Sequence, residues 1–346
     1  MATKRRPFHL VVFGASGFTG QFVTEEVARE QVDAQEGSRL PWAVAGRSRE
    51  KLQQVLDRAA LKLGRPTLPS EVEIIVCDIS NPASLDEMAK QATVVLNCVG
   101  PYRFYGEPVI KACIENGASY VDICGEPQFL ELMYWKYHEK AAEKGVYIIG
   151  SSGFDSIPAD LGVIYTSNKI NGTLTAVECF LTIHSGPEVQ FAAYLTVGGI
   201  TSVVKLMFAG LFFLFFVRFG IGRQLLIKFP WLFSFGYFSK QGPTQKQMDA
   251  TSFTMMFFGQ GYSQGCSPEA SKPNVRICTQ VKGPEAGYVA TPIAMVQAAM
   301  TLLNDASDLP RAGGVFTPGA AFSRTKLIDR LHQRGIEFSV ISSSEV

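Results

Sequence analysis

Three glycines spaced at intervals of three, in Gly14-Ala15-Ser16-Gly17-Phe18-Thr19-Gly20, follow the apolar run His9-Leu10-Val11-Val12-Phe13. Glycine lets backbone N–H groups come close to an anion, and a helix N-terminus favours negative charge. A strand that enters such a turn, with a helical pattern opening behind it, is the setting in which glycines hold a pyrophosphate. The spacing departs from the commoner G-x-G-x-x-G, and the same residues could make a tight turn that binds nothing. The context favours a dinucleotide, with Gly14, Ala15, Ser16, Gly17, Phe18 and Thr19 as its contacts.

Further candidates end the later apolar runs. After Trp42–Gly46 stand Arg47, Arg49 and Lys51, where an NAD-binding chain usually carries a carboxylate for the ribose 2′-OH. A guanidinium at Arg47 suits a 2′-phosphate through paired hydrogen bonds, which favours NADP over NAD. Glu50 keeps the NAD alternative open, and the basic residues could also be the solvated first turn of a helix. Asp78 stands where it could meet the adenine or cap a helix. Asn97-Cys98-Val99-Gly100-Pro101-Tyr102 closes the fourth run, on the crevice that binds ligands in such sheets, so Asn97, Gly100 and Pro101 are assigned to the cofactor. Asp122 and Glu126 end the fifth run, as orienting groups or as caps. Tyr102, Tyr105 and Asp155 are the candidate proton donors; Asp155-Ser156-Ile157-Pro158 is also an ordinary helix start.

These residues need a scaffold that brings strand ends to one rim. Strands are expected at 9–13, 42–46, 72–77, 93–99, 120–123 and 146–149, with helices at 18–30, 51–63, 82–91, 109–116 and 129–144. Such alternation implies right-handed crossovers and a doubly wound parallel sheet of the Rossmann type. At 346 residues the chain is expected to hold two domains. Residues 1–150 form the dinucleotide-binding domain and 151–346 a second α+β domain, for substrate or dimerisation, with an apolar segment at 196–238. In that domain strands are expected at 175–183, 252–258 and 275–281, and helices at 291–303 and 323–330.

A net charge of +1, with 32 basic and 31 acidic residues, points to no nucleic-acid surface. The four histidines are isolated and no two of the seven cysteines have C-x-x-C spacing, which argues against a metal site or a disulfide framework. The cysteines are expected to be buried and reduced. No serine sits in a G-x-S-x-G elbow. No apolar signal segment precedes the first strand, so secretion is not expected.

The glycine turn, Asn97–Tyr102, Tyr120-Val121-Asp122-Ile123-Cys124-Gly125-Glu126 and Gly153-Phe154-Asp155-Ser156-Ile157-Pro158-Ala159-Asp160 together resemble the saccharopine dehydrogenase-like oxidoreductases. The resemblance resumes in Gly283–Tyr288 and Gly313–Ala320 and so spans nearly the whole chain. It implies a nicotinamide-dependent oxidoreductase with an inserted α/β domain, kinship with bacterial trans-acting enoyl reductases of glycolipid synthesis, and association with lipid droplets and mitochondria. It supplies neither a substrate nor a catalytic residue. Members usually continue after a segment like Leu181–Pro187 into a Gly-Thr-x-x-Ser stretch and further sheet. Here Glu188 leads directly to Val189–Tyr194, as if part of the second domain were spliced out. Unpaired sheet edges and uncovered apolar surface are the expected consequence.

Leu206–Val217 holds no charged residue, and Phe229–Phe238 is a second aromatic run; Arg218, Arg223 and Lys228 lie between them. A bilayer span needs about 20 apolar residues. Two apolar arms around a basic turn are instead expected to enter a lipid monolayer from the cytosolic face, with the basic residues at the head groups. A buried core, a dimer interface and a true span remain alternatives. The expected function is hydride transfer between NADP or NAD and a lipid-related or other small substrate. The alternative is a nucleotide-binding, lipid-droplet or membrane-associated protein without turnover. A pair of second-domain sheets is the candidate homodimer interface.

Overall fold

The computed structural model describes residues 6–33, 39–184, 200–233, 242–266 and 272–345. Strands and helices first alternate: β1 (Phe8–Phe13), α1 (Phe18–Asp33), β2 (Trp42–Gly46), α2 (Arg49–Leu63), α3 (Leu68–Glu71), β3 (Glu73–Val76), α4 (Pro82–Gln91), β4 (Ala92–Asn97), α5 (Tyr102–Asn116), β5 (Ser119–Asp122), α6 (Pro127–Glu143) and β6 (Tyr147–Ile149). Next come α7 (Ile157–Lys169) and β7 (Gly172–His184), then α8 (Ile200–Phe216), α9 (Gly220–Lys228), α10 (Pro230–Phe233) and α11 (Gln245–Asp249). The chain ends with β8 (Ser252–Ser263), β9 (Val275–Pro284), a π-helical turn (Ala286–Ala290), α12 (Thr291–Asn304), β10 (Gly314–Phe316), α13 (Pro318–Phe322), α14 (Leu327–Gln333) and β11 (Glu337–Glu345).

Two compact units result: Met1–Leu181 with Thr254–Val346, and Thr182–Phe253. The first contains a seven-stranded sheet in the order β10-β6-β5-β4-β1-β2-β3 and a four-stranded sheet in the order β11-β9-β8-β7. Pairings in the larger sheet are parallel, whereas β11 and β9 run antiparallel. The nucleotide fold therefore does not stop at residue 150: β10 returns to pair with β6. A strand of three residues containing a glycine has too short a period to be read beforehand.

The period of two along β1 explains the layers. Val11 and Phe13 join the apolar core that includes Leu85, Met88, Val109, Phe129 and Met133 of α4, α5 and α6. Leu10 and Val12 alternate with them and are also fully buried. Helix α12 packs against α1, β4 and β5, and residues Thr291–Leu302 are buried around its circumference. Continuous with the π-helical turn, it makes Ala286–Asn304 the one described helix long and apolar enough to cross a membrane, and it is largely buried in the core.

Helix α5 starts at Tyr102, about two turns before the expected start at residue 109. Pro108 lies inside it, which normally breaks a helix. The Glu126 carboxylate accepts hydrogen bonds from the Tyr102 and Arg103 N–H groups at 2.8 and 3.2 Å, and this cap fixes the earlier start. Gly106 makes room for the Phe129 ring, which a Cβ would approach to 2.4 Å.

In the smaller sheet β8 and β9 bury one face. Phe257 fills the space a Cβ of Gly162 would need on α7, and Thr166 shares a 2.5 Å hydrogen bond with Thr279. The opposite face carries exposed Phe180 and Phe258, whose rings stand 5.8 Å apart, Val340 and Ile341 are exposed at the irregularity in β11, and no residue of edge strand β7 is fully buried. This agrees with the expected uncovered surface. The junction at Glu188 lies outside the described residues, as do Ser234–Phe238 of the second aromatic run.

In the second unit α8 exposes Met207, Phe208, Leu211, Phe212, Phe213, Leu214 and Phe215. The Phe216 and Phe233 rings stand 5.1 Å apart and join α8 to α10. Among the cysteines Cys179 and Cys266 are exposed, which corrects the expectation of burial throughout; both lie at strand positions open to solvent or just past them.

Candidate functional site

The turn between β1 and α1 is built for close approach. Gly14 has φ +81°, and a Cβ there would meet Val99 Cγ2 at 2.7 Å. A Cβ on Gly20 would stand 2.1 Å from the Gly14 carbonyl oxygen and 2.9 Å from Ala15 Cα. Gly14 N–H donates to the Ala45 carbonyl at 2.9 Å, and Gly17 N–H to the Gly14 carbonyl at 2.8 Å. The loop is thereby held against β2 and β4, with Ser16, Gly17 and Phe18 exposed at the α1 N-terminus. Exposed backbone at a sixteen-residue helix start, with no side chain in the way, fits a pyrophosphate.

Arg47 is exposed directly after β2. Arg49, by contrast, spends its guanidinium on the Ile74 carbonyl at 3.1 Å, a structural tie to β3. Asp78 accepts the Ser80 N–H at 2.9 Å and hydroxyl at 2.8 Å. Those bonds, reinforced by Arg47, hold its carboxyl below the usual range. Asn81, not Asp78, caps α4.

Several candidates from β4 and β5 turn inward. Asn97 is fully buried; its Nδ2 donates to Tyr120 Oη at 3.0 Å and its Oδ1 accepts from Val99 N–H at 3.0 Å. It fixes the strand end and leaves the exposed Gly100 and Pro101 to form the rim. Tyr102 is not a surface proton donor. Its ring is buried, its hydroxyl donates to the Asn97 carbonyl at 2.9 Å, and burial raises its pKa well above the ordinary phenol value. Asp122, also fully buried, accepts from Tyr120 Oη at 2.7 Å and from the Cys124 and Ser151 N–H groups at 2.9 and 3.0 Å. Burial pushes its pKa up to about 6 despite those donors. Burial also pushes the Cys98 and Cys124 thiols up to about 12, so neither is a ready thiolate nucleophile.

A cleft of about 210 Å³ opens on this rim. It runs from Thr19 past Cys124 and Ser151 to Asp155, Tyr288 and Thr291. Asp155 is thus placed in the cleft, while Tyr105 is exposed and not among its lining residues. Sequence reasoning assigned no role to Ser151, Tyr288 or Thr291. Glu285 accepts the Gly287 and Tyr288 N–H groups at 2.8 and 2.6 Å, which sets the π-helical turn. The Tyr288 ring stacks edge-on to Phe18 at 5.0 Å, beside the glycine loop. Thr291 accepts the Phe154 N–H at 3.1 Å and so ties α12 to the loop before α7. The only signal for Tyr288 was its place in the Gly283–Tyr288 segment, since the contact with Phe18 exists only after folding.

A family model for the saccharopine dehydrogenase NADP-binding domain matches residues 10–149. A human saccharopine dehydrogenase-like oxidoreductase is 70% identical over an alignment that covers 100% of both chains. That alignment has 429 positions against 346 residues here, so this chain lacks an internal portion that the human relative carries. A Caenorhabditis elegans protein named for lipid-droplet localisation is 34% identical, over 98% of this chain and 99% of its own. Among solved structures, apo saccharopine dehydrogenase (L-Glu forming) from Saccharomyces cerevisiae has the same fold, with a TM-score of 0.56 at 11% identity, over 97% of this chain and 100% of that one. With a glycine cradle for a nicotinamide dinucleotide in place and this similarity running end to end, the chain belongs to the saccharopine dehydrogenase-like oxidoreductases.

Proposed function

We propose that the chain uses NADPH to reduce a lipid-derived carbonyl compound or conjugated alkene at a lipid surface, NADP+ taking the hydride back from the alcohol or saturated compound in the reverse direction. The observation that carries this reading is the cleft that joins the α1 N-terminus to Asp155 and Tyr288. When bound, the dinucleotide supplies or accepts a hydride at its nicotinamide. The residues of this chain do the rest. Gly14–Thr19 hold the pyrophosphate, and exposed Arg47 pairs with the 2′-phosphate. Tyr288, whose pKa burial and Glu285 raise, stays a neutral phenol able to donate a proton to the oxygen that gains charge; Asp155 is the second candidate. The lipid setting is supported by the exposed apolar α8 and by the worm relative's name.

The test is calorimetric titration with NADPH and NADH, followed by turnover on carbonyl and enoyl lipids. Arg47→Ala is expected to weaken NADPH roughly tenfold and leave NADH unchanged. Tyr288→Phe is expected to lower kcat about a hundredfold with little change in NADPH affinity. NADPH binding without oxidation across the panel would favour the second reading, a nucleotide-binding lipid-surface protein without turnover. The inward turn of Tyr102 supports that reading, because it removes one of the expected donors.

A further inference from the structure

A second cavity, of about 500 Å³, lies between α6 and the β10–α13 corner. It opens to solvent along one side and has the size of ligand sites. Its base is apolar and buried: Phe129, Met133, Ile148 and Val315. Exposed Tyr134 and Ala320 stand at its mouth. Polar groups of the inner wall are engaged with protein. Asp122 holds three donors, and His138 Nδ1 accepts the Val315 N–H at 3.2 Å. The exposed Glu131 carboxylate lines the cavity as well, so the polar group that remains open is an acid at the surface, while the apolar base suits hydrocarbon rather than water.

Ser151 lines both this cavity and the cleft over the rim. It has φ +58°, a left-handed conformation uncommon for a residue with a side chain and characteristic of functional sites. Its N–H binds Asp122 and its hydroxyl donates to the Cys124 carbonyl at 2.7 Å, so both walls meet there.

We propose that this cavity seats the hydrocarbon chain of the molecule whose reactive group occupies the cleft, with Ser151 as the shared wall. The proposal rests on the oxidoreductase reading for what lies in the cleft, but not for the chain-binding itself. Each methylene buried there strengthens binding about fourfold, so affinity climbs with chain length until the cavity is full.

The experiment uses the full chain and cis-parinaric acid, a fluorescent polyene fatty acid, displaced by saturated fatty acids of increasing length. Ala320→Trp plugs the mouth from an exposed position. It is expected to weaken the probe at least roughly tenfold and abolish the length dependence, with NADPH titration unchanged. A diazirine-bearing fatty acid should crosslink to α6 and α13 in the unsubstituted protein, a readout that needs no variant to fold. Crosslinks confined to α8, or probe binding that Ala320→Trp leaves intact, would overturn the proposal, as would no probe binding. Probe binding lost in Ala320→Trp without any NADPH binding would uphold the cavity and sink the redox reading instead.

Discussion

Gly17 and Gly20 differ in what a side chain would meet, and that difference separates binding from folding. At Gly20 a Cβ strikes backbone, the Gly14 oxygen at 2.1 Å. Gly20→Ala is therefore expected to destabilise the protein by about 1–3 kcal/mol and to lose NADPH binding with it, as thermal melts and calorimetry would show. At exposed Gly17 the nearest obstacle is the same oxygen at 3.0 Å, so a side chain is tolerated with a small shift. Gly17→Asp should fold, yet place a negative charge at the helix start and weaken NADPH by more than roughly tenfold. A variant that keeps NADPH affinity would remove this turn from the cofactor site. Such local turn chemistry could be read from residue types alone. The direction of Tyr102 could not, because it depends on the Asn97 carbonyl brought beneath it by β4. Nor could the meeting of Ser151 with Tyr288, which are far apart in the chain and share a wall only after α12 docks.

Among elements, α1 carries an ionisable group in an adverse place. Glu26 is buried, pairs with Arg29 at 3.2 Å through one oxygen, and leaves Oε1 without a hydrogen-bond partner. Burial raises its pKa to about 7; Arg29 and Arg334 oppose this and Glu30 adds to it. The folded-state value lies above the unfolded one, so its favourable contribution is complete below the usual glutamate range and is lost as pH rises through 7. Relative to Glu26→Gln, the parent protein should lose about 3 kcal/mol between pH 4.5 and 8, measured by urea unfolding of both. Parallel pH curves would show that Glu26 is not the titrating group. A second test concerns the cap of α5: Glu126→Ala frees the Tyr102 and Arg103 N–H groups and should cost about 1 kcal/mol in the same assay. Most of the alternating strands and helices were legible from their periods of two and 3.6. Strand β11 was not, since Ser342-Ser343-Ser344 has little intrinsic strand preference; register with Cys278, Ile277 and Arg276 of β9 imposes it.

For the molecule as a whole, length and hydropathy single out a helix that the fold has already buried. The helix Ala286–Asn304 passes both criteria but is largely buried on the sheet, where its apolar surface is already satisfied. Helix α8, at seventeen residues, is about 26 Å long, short of a comfortable span, yet its aromatic side chains face solvent. Exposed apolar surface of that extent marks an interaction site. No acidic residue occurs from Ile200 to Phe233, while Arg218, Arg223 and Lys228 are exposed. This charge bias suits an anionic lipid monolayer, which each basic residue near the surface attracts by about 1 kcal/mol. Phe208→Glu with Phe215→Glu places two carboxylates where hydrocarbon contact is expected. The pair should leave the protein in the aqueous fraction when it is floated with triolein droplets coated in phosphatidylcholine and phosphatidylserine. Arg218→Glu with Arg223→Glu should weaken flotation in proportion to the phosphatidylserine content and have little effect on pure phosphatidylcholine. Neither pair belongs to the glycine turn, so NADPH titration should be unchanged in both. Flotation that survives the phenylalanine pair would place the lipid contact elsewhere, and the exposed Phe180 and Phe258 of the four-stranded sheet are the next residues to test.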